Sequence, residues 1–341
     1  MAEDVKFVLS IHGGGVRDLI PATVLDLVQT RTGRHTLSLF DMIVGVSGGA
    51  MMALNTAVDG LRPNRGPMLN YTEMFSPDNL NLMLDKSLID RVMGEVQFEP
   101  VYDGTGKTTI LKRYLGEHTT MGDLSKSVRV AVPIYNISHH APEIFTTYDP
   151  SQASSLAWQV GDASSAAVPY FPAVQMGGCN YVDGGFAANN PVLVAYTEAR
   201  RAFGDSASIR MMALGSGQNT VDVWKADVVR GWGSIQWLMN GLVDLVLEAP
   251  NDIQLQQTMR LMELEGSGNR LLWIDQEIPV VKLDDTTPHA REILVNAGKQ
   301  AYQHYEEDIV KFFDTSRPFA PSQRIKFAGY DDKRVSPQPA L

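Results

Sequence analysis

The chain has 341 residues, 44% of them apolar and 20% charged, with a formal net charge of -10. That balance excludes a mainly disordered polymer, and the acidic excess argues against nucleic acid as the main partner, because phosphate backbones attract clustered Lys and Arg. A chain this long buries roughly 75% of its unfolded surface without a covalent or metal staple. The single cysteine, Cys179, permits neither an internal disulfide nor a multi-cysteine zinc site.

Length alone would allow two domains, but no linker divides the chain, so one domain is expected over residues 1–315 with a proline-bearing tail over 316–341. The acidic start Met-Ala-Glu-Asp-Val-Lys lacks the basic opening and long apolar stretch of a leader peptide. No apolar run is long enough to span a bilayer, and the expectation is a cytoplasmic protein.

In chain order, the apolar run Val5 to Ile11 predicts a buried strand ending at Gly13-Gly14-Gly15, and a helix follows from about Pro21. Met42 to Val46 predicts a second buried strand, stopped by glycines and followed by a helix through Ala50, Met51, Ala53, Leu54 and Ala57. Residues 64 to 100 read as an insertion or cap beside the sheet. Further strands are expected at Val128 to Tyr135, Tyr181-Val182 and Arg210 to Leu214, with helices between. This alternation predicts an α/β fold with a mostly parallel central sheet and helices on both faces. Trp232 to Ala249 predicts one amphipathic helix with Ile235, Leu238, Met239, Leu242, Leu245, Val246 and Ala249 on its apolar face.

The sharpest chemical signal is Gly45-Val46-Ser47-Gly48-Gly49, a G-x-S-x-G run placed between a predicted strand and a predicted helix. A nucleophile elbow belongs there, because Gly45, Gly48 and Gly49 let the backbone bend sharply and present Ser47 at the edge of the sheet. A serine nucleophile needs a proton acceptor and donors for the developing oxyanion. Gly13-Gly14-Gly15-Val16-Arg17 offers consecutive backbone amides, and Asp183-Gly184-Gly185 offers a carboxylate at a strand end. Each of these two segments alone is ordinary turn chemistry.

Taken together and in this order, the glycine-rich loop, the G-x-S-x-G elbow and the Asp-Gly-Gly run resemble the patatin-like phospholipase family. The resemblance extends through Pro133-Ile134-Tyr135-Asn136, Ala166 to Pro172, Asp183 to Pro191 and Leu214-Gly215-Ser216-Gly217. It implies a three-layer patatin-like fold and a dyad in which Ser47 attacks an acyl ester and Asp183 takes its proton. By the same resemblance, the amides of Gly14 and Gly15, with help from Gly13 and Arg17, hold the oxyanion. It implies neither metal nor cofactor, a membrane glycerolipid substrate met by transient contact with the membrane surface, and room for a homo-oligomer or a regulatory ligand. Two positions depart from the family's commonest loop. His12 stands where Asp, Gly or Ser often precedes the glycines, and Asp18 replaces the glycine that usually follows the basic residue.

Competing readings are a lipid-binding or signalling module with weak catalysis, and a triad esterase drawing its base from His139 or His140. Gly104-Thr105-Gly106-Lys107-Thr108-Thr109 invites comparison with a phosphate-binding loop, but Val101 occupies the position of the required first glycine, so a turn into a helix is expected. His289 and His304 read as solvent-facing. Cys179 reads as a small buried apolar residue.

Overall fold

The computed structural model describes residues 4–63, 66–85, 100–220, 229–239, 241–265 and 268–315. The tail expected over 316–341 and residues 86–99 of the expected insertion lie outside the described residues.

An eight-stranded sheet organises the protein. Its strands are β1 (Val5–Ile11), β2 (Met42–Gly45), β3 (Arg129–Asn136), β4 (Ala141–Thr146), β5 (Val174–Met176), β6 (Cys179–Asp183), β7 (Ser208–Leu214) and, after a short β8 (Gln218–Asn219) outside this sheet, β9 (Arg270–Ile274). The order is β5-β6-β3-β2-β1-β7-β9, with β4 pairing β3. β3, β2, β1, β7 and β9 run parallel, whereas β4 and β6 pair antiparallel to β3, and β5 pairs antiparallel to β6. The mostly parallel sheet expected from the sequence is therefore present, with an antiparallel margin that the sequence reading did not foresee. β8 pairs with β10 (Glu277–Ile278) in a separate ribbon.

β2 is a continuous apolar run, and β1 and β7 are mostly apolar, because helices cover both faces of the sheet. Alternate side chains go to opposite layers. Leu9, Ile11, Ile43 and Met212 join a cluster with α1 (Leu19–Thr32), α2 (Gly48–Asp59) and the long Pro288–Phe313 helix. Val8, Met42, Val44 and Met211 join a second cluster with the Val192–Phe203 and Asn251–Leu264 helices. Helix, sheet and helix thus make three layers.

α1 begins at Leu19, two positions before the expected Pro21, because a tight turn over Gly15–Asp18 leads straight into it. The single helix expected over Trp232 to Ala249 is two pieces, Ser234–Met239 and Leu242–Glu248, separated at Gly241, whose φ of 92° is left-handed. Leu245 and Val246, placed on the apolar face by periodicity, are exposed, and Leu247 is the buried residue.

Candidate active site

The loops that end β1, β2 and β7 leave the sheet at the same end, since Ile11 pairs with both Gly45 and Leu214. Clefts at the carboxyl ends of parallel strands are where α/β sheets place ligands. Register also brings the two expected catalytic side chains to one height. Val44 pairs with Ala131, so the chain reaches Ser47 as β3 reaches Ile134, and the partner of Ile134 is Asp183. β6 is short and stops there instead of crossing the sheet.

Ser47 sits at the junction of β2 and α2 with φ 56° and ψ -125°, a backbone conformation that costs a non-glycine residue about 1–3 kcal/mol. Glycine is required beside it. A Cβ on Gly45 would lie 2.2 Å from the Gly49 carbonyl oxygen, and one on Gly48 would lie 2.0 Å from Asp18 Oδ2. The Ser47 amide donates to Ser164 Oγ at 3.1 Å, and that hydroxyl donates in turn to the Pro133 carbonyl at 2.8 Å. The strained turn is thereby tied to β3.

Asp183 is buried, accepts a hydrogen bond from the Gly185 amide at 2.6 Å and lines the same cavity as Ser47. Burial pushes its carboxyl up to about 6, against the opposing pull of the Gly185 amide, the nearby Ser47 hydroxyl and the Lys107 ammonium. Lys107 is itself buried. Its Nζ donates to the carbonyls of Asp162 at 3.1 Å and Ser165 at 2.8 Å, pairs with Asp162 Oδ1 at 3.1 Å and lies 4.2 Å from the centre of the Phe171 ring. These bonds clamp the end of the Ala157–Ser164 helix, from which Ser164 holds the Ser47 amide; just beyond it, Ala166 O accepts from the Asp183 amide. Sequence reasoning missed both Ser164 and Lys107. The turn-to-helix reading of Gly104 to Thr109 is correct, with Gly104 left-handed at φ 80° before the Thr105–Leu115 helix, but nothing local marks the lysine as pointing inward.

The amides of the glycine-rich loop are unevenly committed. Gly13 N–H donates to Asn189 O at 3.1 Å, Gly14 N–H to Asp18 Oδ2 at 3.1 Å, Val16 N–H to Leu283 O at 2.9 Å and Arg17 N–H to Gly14 O at 3.0 Å. Gly15, at φ 58°, is the one amide of residues 13–17 with no acceptor among the described residues. Below the loop, Ser216 Oγ donates to Gly13 O at 3.1 Å and lies 3.1 Å from His12 Nδ1. Burial depresses His12 to about 4, which leaves its ring neutral near pH 7. The Arg17 guanidinium is buried and bonds Glu248 at 2.8 Å.

Gly13 to Arg17, Ser47 and Asp183 share one cavity that is open at its mouth. Its walls are largely apolar, with Met51 from α2, Phe75, Leu80 and Met83 from the inserted segment, Phe171 and Leu247. The inserted segment does cap the sheet beside the site. No histidine lines the cavity. His139 is exposed, with Nδ1 3.3 Å from Asn136 Nδ2 and 3.8 Å from Glu143 Oε1; His289 and His304 are exposed as expected. Cys179 is only partly buried, at the outer end of β6, with its Sγ 3.9 Å from His139 Nε2. Among the described residues, no group of three or more His, Cys, Asp or Glu is placed to hold a metal ion, and no helix is long and apolar enough to cross a membrane.

The family model described as patatin-like phospholipase matches residues 9–196. A Pseudomonas aeruginosa protein named cGAMP-activated phospholipase is 31% identical over 310 residues, covering 87% of each chain. Patatin-like protein 2 of Arabidopsis thaliana is 27% identical over 351 residues, covering 86% of this chain and 82% of the relative. Among solved structures, VipD from Legionella pneumophila aligns over 89% of this chain and 67% of its own, at 13% identity and a TM-score of 0.39. With the family model spanning the elbow, the loop and the Asp-Gly-Gly turn, and a relative of nearly one-third identity along most of its length, the chain belongs to the patatin-like phospholipase family.

Proposed function

We propose that this protein is a serine acyl hydrolase of phospholipase A type, cleaving fatty acyl esters of membrane glycerolipids with Ser47 as nucleophile and Asp183 as base. The observation that carries the reading is a serine held in a left-handed elbow together with a buried carboxylate, both lining one apolar-walled cavity with the glycine loop. Asp183 removes the hydroxyl proton as Ser47 Oγ bonds to the ester carbon, and the carbonyl electrons move to its oxygen. Collapse breaks the bond to the alcohol, which leaves with the proton from Asp183. Water then repeats the cycle on the acyl-enzyme and releases the fatty acid. The apolar walls suit an acyl chain.

Because Asp183 must be ionised to act, turnover falls on the acid side of about pH 6. In this reading the enzyme works from the cytoplasm and meets the membrane transiently. The Pseudomonas relative is named for activation by cGAMP, which favours a cyclic dinucleotide as the regulatory ligand here. Product analysis on defined phospholipid and galactolipid vesicles, with and without cGAMP, tests the reading. Release of fatty acid by wild type but not by Ser47→Ala supports it, whereas cleavage of water-soluble short esters alone removes the lipid assignment. A fluorophosphonate probe that labels Ser47→Ala as well as wild type would falsify the nucleophile.

A further inference from the structure

The Asp18 carboxyl occupies an unusual place. It is fully buried, Oδ2 takes the Gly14 N–H at 3.1 Å, and Oδ1 has no hydrogen-bond partner. A side chain on Gly48 would meet Oδ2 at 2.0 Å, and one on Gly14 would meet Oδ1 at 3.0 Å, so the group is wedged between the glycine loop and the first residue of α2. Donors for an oxyanion at Ser47 must come from these same two backbone segments.

Bound there, the carboxylate uses a donor that the reaction needs. Gly13, Val16 and Arg17 donate to carbonyls, Gly14 donates to Asp18, and Gly15 alone is uncommitted. Burial pushes the Asp18 carboxyl well above the usual carboxylate range; of the charges facing it, Arg17 favours its ionised form and Asp183 opposes it. Arg17 does not draw the carboxyl away, because its guanidinium bonds Glu248 instead. The glycine usual at this position in the family has no side chain to take the amide.

We propose that Asp18 is a positioning residue that restrains the oxyanion loop by holding the Gly14 amide, and that this carboxyl must release the amide before the tetrahedral intermediate can use it. Two oxygens compete for one N–H, the acid's own and the substrate's. The loop is thus set below its full strength in the resting enzyme. The inference rests on Ser47 being the nucleophile.

The test uses the full chain with Asp18→Gly and Asp18→Asn. Asp18→Gly frees the amide, and Asp18→Asn leaves a neutral, weaker acceptor on it. One oxyanion donor commands about 10²–10³ in rate, so Asp18→Gly is expected to speed fluorophosphonate labelling and kcat by about tenfold or more, with KM within about twofold. Asp18→Asn is expected between it and wild type. A merely structural aspartate would give slower variants, not faster ones. Labelling by folded Asp18→Gly at or below the wild-type rate overturns the proposal; if that variant does not fold, the same result with Asp18→Asn does so. Ser47→Ala, run alongside, separates the failures: if it still labels, the nucleophile assignment is wrong, and if it does not label while both Asp18 variants are no faster, this inference alone falls.

Discussion

Replacing Asp183 by asparagine is expected to stabilise the protein while abolishing turnover. Burial raises the carboxyl from 3.8 to about 6, so the folded chain binds that proton more tightly than the unfolded chain. The associated stability is fully present below the unfolded value and is lost as pH rises through about 6. A rise of about two pH units, at 1.36 kcal/mol each, puts the cost of ionising Asp183 in the folded state at about 3 kcal/mol. Asparagine keeps the shape and an oxygen for the Gly185 amide, but it has no charge to bury. Urea denaturation is therefore expected to show Asp183→Asn more stable than wild type by about 2–3 kcal/mol at pH 8 and within about 1 kcal/mol at pH 4. Asp275, partly buried and also raised to about 6 by burial, adds a second slope in the same window, so the two proteins must be compared at each pH. Equal stability at pH 8 would refute the argument.

Three further substitutions probe the scaffold. Lys107→Met leaves Asp162 buried without its cation, so it is expected to cost about 3–5 kcal/mol in a denaturant titration, with at least half regained in Lys107→Met/Asp162→Asn. It also removes one pull toward ionised Asp183, and the acid limb of the pH–rate profile is expected to move above its wild-type position. Ser164→Ala takes away the acceptor of the Ser47 amide; about 1–3 kcal/mol of stability and a fall in kcat larger than any change in KM are expected from melts and steady-state kinetics. Gly45→Ala would force a methyl group against the Gly49 carbonyl, and a loss of about 3 kcal/mol or more, or no soluble protein, is expected on expression and thermal melting.

What the sequence disclosed follows from how locally each feature is determined. β1, β2 and β7 were legible because burial on both faces makes them predominantly apolar runs. β4, at the margin and half-exposed, has no such run, and Arg270–Ile274 is too short for its periodicity to separate strand from helix. Ser47 and Asp183 were readable because the elbow and the Asp-Gly-Gly turn need glycine at fixed offsets. Lys107 and Ser164 take their roles from a helix end that only the folded sheet brings beside the elbow. The break at Gly241 shows the opposite failure: seven apolar residues keep helical spacing, and one left-handed glycine between them changes which side faces the cavity.

The placement of these costs explains why the site is stiff. A serine at φ 56°, a carboxyl raised by burial and a desolvated lysine are each unfavourable on their own. All three lie where the ends of β1, β2 and β3 meet the Ala157–Ser164 helix, and each is fixed by a bond to a neighbour that is itself in the core. The two apolar clusters on opposite faces of the sheet supply the offsetting stability. Substitutions at the reacting atoms should then relieve the fold, and substitutions in the clamp should weaken it. A protein in which Asp183→Asn and Lys107→Met moved stability in the same direction at pH 8 would not be organised in this way.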